Sequence, residues 1–312
     1  MVRHIVLRNG EMSVDILKKL IVHFKQLRSL ELPDAVFLND FGLWEILGTL
    51  PFLENLTLVA KNPESGPTHA PENLDSQSGG TRYFEVLESL RVTGSSFLIR
   101  HLQGFINSPC LKSIEIYPSI NKFGKPEDLS TPSMMIVSSK WSHSLKSLVI
   151  SSSTINTKRC VISKLLISLK DLQSVETFRL GWEIKNLDDL YSLLTSWPKL
   201  RNLNLEETLV TLSSLECIVE NCPELRQLHI GLDNSAIDLP PSKTFCHNLE
   251  HLTVARAHPP DIIGFQRMLA CQIKVTRHLN LIFPHLNYIG VQFDDVFWSG
   301  VRDLVNLCWT PS

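Results

Sequence analysis

Histidine and cysteine side chains, the residue types that most often hold zinc, gather between positions 229 and 251 of the sequence. His229 and His251 fall in two neighbouring segments that have the pattern of strands, and Cys246 and His247 come just before the second segment. A zinc site could use the two histidines and one of the other two residues. The spacing follows no regular ligand pattern, so surface histidines and a packed cysteine are the simpler interpretation. We therefore predict no metal and no cofactor.

The other patterns that carry catalytic chemistry are missing from the sequence or have a structural explanation. The sequence contains no G-x-S-x-G nucleophile motif and no phosphate-binding G-x-x-x-x-G-K-[ST] motif. The carboxylate pairs Asp188–Asp189 and Asp294–Asp295 each open a predicted helix, where they complement the helix dipole. We predict a protein that is not an enzyme. A hydrolase or metal site near the two histidines is the remaining catalytic hypothesis.

A six-residue block with the pattern L-x-x-L-x-L must position these side chains. Eleven copies start 24 to 37 residues apart, and their first, fourth and sixth positions are always Leu, Ile, Val or Phe. On a strand, the fourth and sixth positions point to one face, and the third and fifth positions point to the other. Stacked copies therefore predict a parallel sheet with a ladder of aliphatic side chains behind it. The blocks occupy 2–7, 27–32, 53–58, 87–92, 111–116, 145–150, 175–180, 200–205, 225–230, 249–254 and 286–291.

Several connectors between the blocks carry the signals of helices. The segments 39–53, 186–200 and 211–225 are amphipathic at helical spacing. Ser213 and Glu216 have the spacing of a capping box at the start of the last of these. Each predicted helix would cross back over the aliphatic ladder and cover it.

The repeats resemble those of leucine-rich-repeat proteins, and the resemblance covers almost the whole chain. The phrase NCPELRQLHI (221–230), echoed by SPCLKSIEI (108–116), is similar to the cysteine-containing subtype found in F-box/leucine-rich-repeat proteins. The irregular unit lengths resemble those of fungal-type members, although no F-box pattern occurs in the chain. The resemblance implies an α/β leucine-rich-repeat solenoid of about eleven repeats. A curved parallel β-sheet would form the concave face, with helices and irregular connectors on the convex face.

The repeat pattern predicts a single leucine-rich-repeat domain over residues 1–312. Two connectors, 60–82 and 117–144, are long and largely polar, and we expect them to form insert loops. The segment 294–310 carries a helical apolar stripe, which predicts a capping helix over the last repeat. The block 2–7 has no comparable cover, which predicts a preceding segment or a partner at that edge.

Composition and charge argue against several classes of protein. The 312 residues are 43% hydrophobic, and 30 basic against 32 acidic residues give a net charge of −2. No excess of positive charge draws the chain to nucleic acid or an anionic membrane, and no apolar run has the length of a signal peptide or membrane span. Seven cysteines without a C-x-x-C motif indicate reduced thiols. We expect an intracellular protein, cytoplasmic or nuclear, without nucleic-acid or membrane partners.

The third and fifth block positions form the predicted concave surface and are mostly small and polar. We predict a non-catalytic protein–protein interaction module that holds its partner on this surface or on the insert loops. The resemblance implies a finer role, substrate recognition for an F-box-type (SCF) ubiquitin ligase whose adaptor binds a missing N-terminal segment. The alternative is a ligase-independent scaffold or a self-assembling structural repeat protein. The predicted protein-binding residues are Glu31, Arg91, Glu115, Arg179, Asn202, Asn204, Gln227, His229, His251 and Tyr288.

Overall fold

Each copy of the six-residue block forms one β-strand in the computed structural model of the chain. The chain divides into two compact units, Met1–Leu172 and Gln173–Ser312, called unit 1 and unit 2 below. The structure describes residues 2–7, 14–35, 47–60, 84–94, 106–118, 137, 139–151, 162–233, 247–258, 265–292 and 295–308.

Unit 1 contains six strands, and their order in the sheet is their order in the chain. Neighbouring strands are parallel, and the register aligns equivalent block positions: Ser29 faces Asn55, and Ser89 faces Ser113. The described elements are β1 (His4–Val6), α1 (Val14–His23), β2 (Ser29–Ala35), β3 (Asn55–Ala60), β4 (Ser89–Gly94), β5 (Ser113–Pro118), β6 (Ser147–Ser151) and α2 (Ile162–Ser168).

Unit 2 contains five parallel strands, again in chain order. The helices predicted within 186–200 and 211–225 are present as α3 and α4. The described elements are β7 (Thr177–Gly181), α3 (Leu187–Leu194), β8 (Asn202–Val210), α4 (Leu212–Asn221), β9 (Gln227–Asp233), β10 (His251–His258), α5 (Phe265–Ile282), β11 (Tyr288–Val291) and α6 (Val296–Cys308).

The aliphatic ladder predicted from the block is buried in both units. The first, fourth and sixth positions are buried in every repeat from the second to the tenth. The exceptions lie in the first and last repeats, where Val2 is 43% exposed and Ile5, Leu7 and Val291 are half-buried. Burial contributes roughly 1.5–3 kcal/mol for each large aliphatic side chain, so this ladder is the main source of stability. The fold is an α/β leucine-rich-repeat solenoid of about eleven repeats, as predicted.

In nine repeats, one backbone carbonyl fixes the alignment of the next repeat. The carbonyl oxygen at the second block position accepts hydrogen bonds from two successive amides of the following repeat, which uses both of its lone pairs. Arg28 O, for example, accepts from the amides of Glu54 and Asn55 at 2.8 and 2.9 Å. The same arrangement occurs at the carbonyls of Arg3, Arg28, Glu54, Glu88, Lys112, Glu176, Arg201, Arg226 and Glu250.

Side chains at the same block position form ion pairs between neighbouring repeats. The pairs are exposed to solvent, and such pairs contribute about 0–1 kcal/mol each. They therefore add little to the stability of the ladder, but they neutralise a row of charges along the sheet. The paired atoms are 2.7 Å apart in Arg28–Glu54, 2.8 Å in Lys112–Glu88, 4.0 Å in Arg201–Glu176 and 3.2 Å in Arg226–Glu250.

Two helices of unit 2 begin at residues that satisfy otherwise unpaired backbone amides. Asn186 caps α3, and its side-chain oxygen accepts a hydrogen bond from the amide of Asp188. Asp295 Oδ1 accepts from the amide of Trp298 at 3.0 Å at the start of α6. Asp188 and Asp295 both lie at the start of a helix, where the helix dipole favours negative charge, as the sequence indicated.

The capping box predicted for α4 is wrong. Thr211 is the N-cap, and its hydroxyl accepts a hydrogen bond from the amide of Ser214 at 3.2 Å. Because the helix begins at Leu212, Ser213 already lies in the first turn and cannot cap it. Glu216 lies against α5 instead, with Oε1 3.2 Å from His278 Nε2.

Parts of the predicted connectors fall outside the described residues. At the described end of the second insert, Trp141 is buried, and its indole donates a hydrogen bond to Ser108 O at 2.9 Å. The parts of the predicted connectors that lie outside the described residues are 39–46, 61–82, 119–136 and 138. The single domain over 1–312 stays a prediction.

In the described part of the chain, no helix has both the length and the apolar character that a membrane span requires.

A helix, α6, occupies the segment predicted to cap the last repeat, and α5 packs against it. Gln272 of α5 is buried, and its Nε2 donates hydrogen bonds to the carbonyls of Val296 and Phe297 at 3.3 and 3.0 Å. Gly300 leaves the space for this amide, because a Cβ at that position would overlap it. The contact between the two helices therefore depends on one glycine and one glutamine.

We expect Gly300→Ala to lower the free energy of unfolding, measured by urea denaturation followed by circular dichroism. In an ordinary helix this change stabilises by roughly 1 kcal/mol. Here the new methyl group must displace the buried Gln272 amide, and an unsatisfied buried polar group costs about 1–3 kcal/mol.

The control is the same change in a Gln272→Ala background, where the space is already vacant. There Gly300→Ala should regain its usual stabilising effect. Equal destabilisation in both backgrounds would contradict the proposed dependence on Gln272.

Candidate functional site

The third and fifth block positions form the polar face of the sheet, opposite the buried ladder. The structure places all ten predicted binding residues on this face, in separate groups. In unit 1, Arg91 and Glu115 are register partners, whereas Glu31 lies on β2, two strands from Arg91. In unit 2 the remaining residues are distributed over β7 to β11, and they are Arg179, Asn202, Asn204, Gln227, His229, His251 and Tyr288.

Arg91, Glu115 and Tyr117 form a compact group on the polar face of unit 1. Arg91 Nε lies 3.5 Å from Glu115 Oε2, and its guanidinium carbon is 4.9 Å from the centre of the Tyr117 ring. The Tyr117 hydroxyl donates a hydrogen bond to Glu115 Oε2 at 3.1 Å. This combination of an ion pair and a cation–π contact holds the Arg91 side chain in place while about half of it stays exposed (51%).

A bulge near the end of β8 brings two carboxylates to the polar face of unit 2. The register between β8 and β9 shifts within residues 205–209, so the intervening residues leave the ladder. Glu206 accepts a hydrogen bond from Arg179 at 2.8 Å, and Glu207 accepts one from Arg256 at 2.7 Å. Two arginines of the face are therefore neutralised by the bulge.

Thr208 anchors this bulge from the buried side. Its hydroxyl donates to the carbonyl of Trp182 at 3.3 Å and accepts from the amide of Ile184 at 3.0 Å. Gly231 of β9 allows the bulge to approach, because a Cβ there would lie only 2.8 Å from Thr208 O. The bulge is thus fixed on both sides, and so are the carboxylates that it carries.

Strands β9, β10 and β11 enclose an open groove of about 350 Å³ on the polar face, called the β9–β11 groove below. Its lining contains amides, imidazoles, a hydroxyl and one phenol ring, and no side chain with a permanent charge. It joins four of the predicted residues with four that were not predicted. The lining residues are Gln227, His229, His251, Thr253, Tyr288, Gly290, Val291 and Gln292.

Tyr288 forms one wall of the groove and is 53% exposed. Its ring centre is 5.9 Å from that of His251, at an interplanar angle of 53°. A Cβ at Gly290 would lie 3.0 Å from Tyr288 Cε1 and 3.1 Å from Thr253 Oγ1. The missing side chain at Gly290 therefore provides the space in which the Tyr288 ring lies and keeps the groove open beside it.

His229 is a half-buried ionisable residue of the groove. Burial lowers the pKa of His229; Glu206 opposes this effect, and Arg179 and His251 add to it. The imidazole is accordingly neutral at pH 7. His229 faces Thr253 and His251 faces Gln227, so the two histidines are offset by two residues on adjacent strands, as the sequence predicted.

The described residues do not complete the zinc site that the sequence allowed. His247 is buried elsewhere: its Nε2 donates to Cys222 O at 2.8 Å, and its ring packs edge-on against Phe283 at 6.1 Å. His247 therefore packs in the core, and Cys246 lies outside the described residues. Within the described part of the chain, no three His, Cys, Asp or Glu side chains are placed to share a metal ion.

Sequence reasoning missed several residues of the polar face. Tyr117 and Glu206 lie just beyond their six-residue blocks, so a search confined to the blocks could not find them. Thr253 and Gly290 are fifth-position residues without charge or bulk. The sequence pattern that could have revealed them is a small residue at the fifth block position after a large residue at the third position, as in His251–Thr253 and Tyr288–Gly290.

We expect the free energy of unfolding to fall as the pH is lowered from 7 to 5. Burial lowers the pKa of His247, although its bond to Cys222 opposes this, and burial also lowers the pKa of His278. Below pH 6.5, the ordinary pKa of histidine, the unfolded chain binds protons at these two positions more readily than the folded protein does. The stabilisation that comes from the two neutral histidines is complete above that pH and is lost as the pH falls towards the lowered pKa values. The slope is at most about 1.4 kcal/mol per pH unit for each histidine.

His247→Gln should reduce this slope, because the glutamine amide can still donate to Cys222 O but does not titrate. Urea unfolding at a series of pH values measures the slope. The control is His285→Gln, whose side chain is exposed. Identical slopes in the two variants would show that burial of His247 does not cause the pH dependence.

Comparison with known proteins shows no family model that matches the chain and no curated protein that matches it. The solved structures that match the chain include two that are each 15% identical to it in sequence. One is a Bacteroides fragilis protein from a structural genomics programme, with a TM-score of 0.44 over 75% of this chain. The other is TLR13 in a complex with ssRNA13, with a TM-score of 0.39 over 82% of this chain. The chain spans 61% and 36% of the lengths of these two proteins.

Proposed function

We propose that the chain is a protein-interaction module whose partner binds the polar face of unit 2, centred on the β9–β11 groove. The observation that carries this proposal is the half-exposed Tyr288 ring, which lies beside His251 and in the space left by Gly290, at the edge of a groove of about 350 Å³ without permanently charged side chains. Tyrosine is among the residues most enriched in the energetic centres of protein interfaces. A rigid ring loses little conformational entropy when a partner covers it.

The chemistry of the lining supports a protein partner. Gln227 and Gln292 supply amide donors and acceptors that match peptide groups, and Thr253 adds a hydroxyl. Because His229 is neutral, a partner can cover it without burying a charge. Arg179 of β7 donates a hydrogen bond to Glu206 of β8. This pair could form part of the polar rim that surrounds the centre of an interface.

Tyr288→Ala is expected to weaken binding of the principal captured partner by roughly 30-fold or more, the scale of an interface hot spot. The partner is first isolated with the full wild-type chain from its native cells and identified by mass spectrometry. Its dissociation constant is then measured with purified components by calorimetry.

Two further variants make this test specific. Gly290→Leu removes no contact but fills the groove, and it should weaken the same partner. Phe52→Ala removes an aromatic side chain that is 44% exposed and does not line the groove, and it should leave binding unchanged. Unchanged affinity in both groove variants, with their folding intact, would refute the proposed surface.

We infer further that the module recognises substrates for an F-box-type ubiquitin ligase. The support is the phrase NCPELRQLHI, which is similar to the repeats of F-box/leucine-rich-repeat proteins. Its cysteine, Cys222, is fully buried, and burial raises its pKa to about 12, so it serves as a packed core residue.

Capture of the full-length protein from its native cells tests this finer role. Cullin-ligase components should co-purify, and Tyr288→Ala should not remove them, because the groove would hold the target and not the adaptor. Recovery of the partner without any cullin-ligase component would contradict the ligase role and favour the ligase-independent scaffold. Light scattering would then distinguish a monomeric scaffold from a self-assembling protein.

A further inference from the structure

We infer that the exposed side of α5 is a second docking surface, which takes an acidic helical segment of a partner protein. Five residues of α5 follow one another at spacings of three, four, three and four, so they lie on one stripe of the helix. All five are exposed. At 1.5 Å per residue, the stripe is about 21 Å long. We call it the cationic stripe, and its members are Arg267, Ala270, Lys274, Arg277 and Leu281.

The charges on this stripe are of one sign. The 18 residues of α5 include Arg267, Lys274 and Arg277 and no aspartate or glutamate. Among the described residues, the only acidic side chain in contact with a basic side chain of α5 is Glu216, whose Oε1 lies 3.2 Å from Nε2 of the buried His278. Within the described part of the chain, none of the three cations of the stripe forms an ion pair, in contrast with the paired arginines along the sheet.

The opposite side of α5 holds the helix in place. Val275 and Leu279 are fully buried, and the buried Gln272 is bonded to the start of α6. A partner that binds the stripe does not have to order the helix first, so little conformational entropy is lost on this side of the interface.

An acidic helix fits the stripe better than a phospholipid surface or a nucleic acid does. Carboxylates at the same three-and-four spacing on a facing helix could reach all three cations, and arginine can bind a carboxylate with two parallel hydrogen bonds. Lipid-binding clusters usually contain about four to eight basic residues, whereas the stripe has three and adds only Leu281 as a large apolar residue. Three phosphate contacts would also give nucleic acid only a weak, salt-sensitive attachment.

The experiment compares three probes on the full chain by fluorescence anisotropy or vesicle co-sedimentation. The first probe is a 21-residue helical peptide with glutamates at alternating spacings of three and four, together with its glutamine version. The others are vesicles with 30% phosphatidylserine and a 20-nucleotide single-stranded DNA. The stripe variant is R267E/K274E/R277E. The control K25E/K185E/K199E makes the same charge change at three isolated exposed lysines.

The glutamate peptide should bind the wild type and the control equally. It should bind the stripe variant at least tenfold more weakly, and the glutamine peptide should bind the wild type at least tenfold more weakly. Raising the salt concentration should weaken the specific binding. If the stripe variant fails to fold, R267Q/K274Q/R277Q removes the charges without reversing them and gives the same comparison.

The inference is overturned if the glutamate peptide does not bind, or if the stripe and control variants bind it equally. It is also overturned if vesicles or DNA bind through the stripe while the peptide does not, because the partner would then be of another class. None of these outcomes bears on the β9–β11 groove, which is formed by other residues.

Discussion

The double hydrogen bond at the second block position is the constraint on which the rest of the fold depends. When a carbonyl accepts hydrogen bonds from two successive amides of the next repeat, the two strands can pair in only one register. Side chains at equivalent block positions then lie next to one another. Within each unit the aliphatic ladder becomes continuous behind the strands, and the charges at the second position meet as ion pairs such as Arg28–Glu54. Connectors can vary in length without disturbing this alignment, because the bonds lie at the entry to each strand. This explains how repeats that start 24 to 37 residues apart form parallel strands in register.

The same register determines what the polar face can present. Third- and fifth-position side chains of one strand point to the same face two residues apart, so one can be large where the other is small. In unit 1, the large side chains Arg91 and Glu115 occupy the fifth position, beside serine at the third. At β11 the order is reversed: Tyr288 is the large residue, and Gly290 leaves it room. The β9–β11 groove therefore arises from side-chain volume and requires no irregularity in the backbone of β11.

The sequence was sufficient to predict the strands, the buried ladder and the diagonal placement of His229 and His251, because all of these follow from a local pattern of two-residue period. Features that depend on contacts between distant segments could not be predicted in this way. The bulge that carries Glu206 depends on Thr208 meeting the β7–α3 connection and on the missing side chain at Gly231. The contact between Gln272 and Gly300 joins two helices that look independent in sequence. The N-cap of α4 was misassigned for a smaller reason: Thr211 and Ser213 are both good caps, and only the helix start at Leu212 decides between them.

The distribution of charge separates the two surfaces of unit 2 in physical terms. On the polar face, Arg179 and Arg256 are matched by the carboxylates of the β8 bulge, so a partner at the groove meets little net field. Affinity there has to come from covering Tyr288 and from hydrogen bonds, which salt screens only weakly. On α5 the three cations have no matching carboxylate among the described residues, so attraction to an acidic partner would be long-ranged and would fall with salt. The two surfaces that we propose would therefore differ in physical character although the net charge is only −2: the groove would suit specific recognition, and the stripe would suit fast electrostatic capture. Because the groove and the stripe share no residue, selection can change either one without loss of the other.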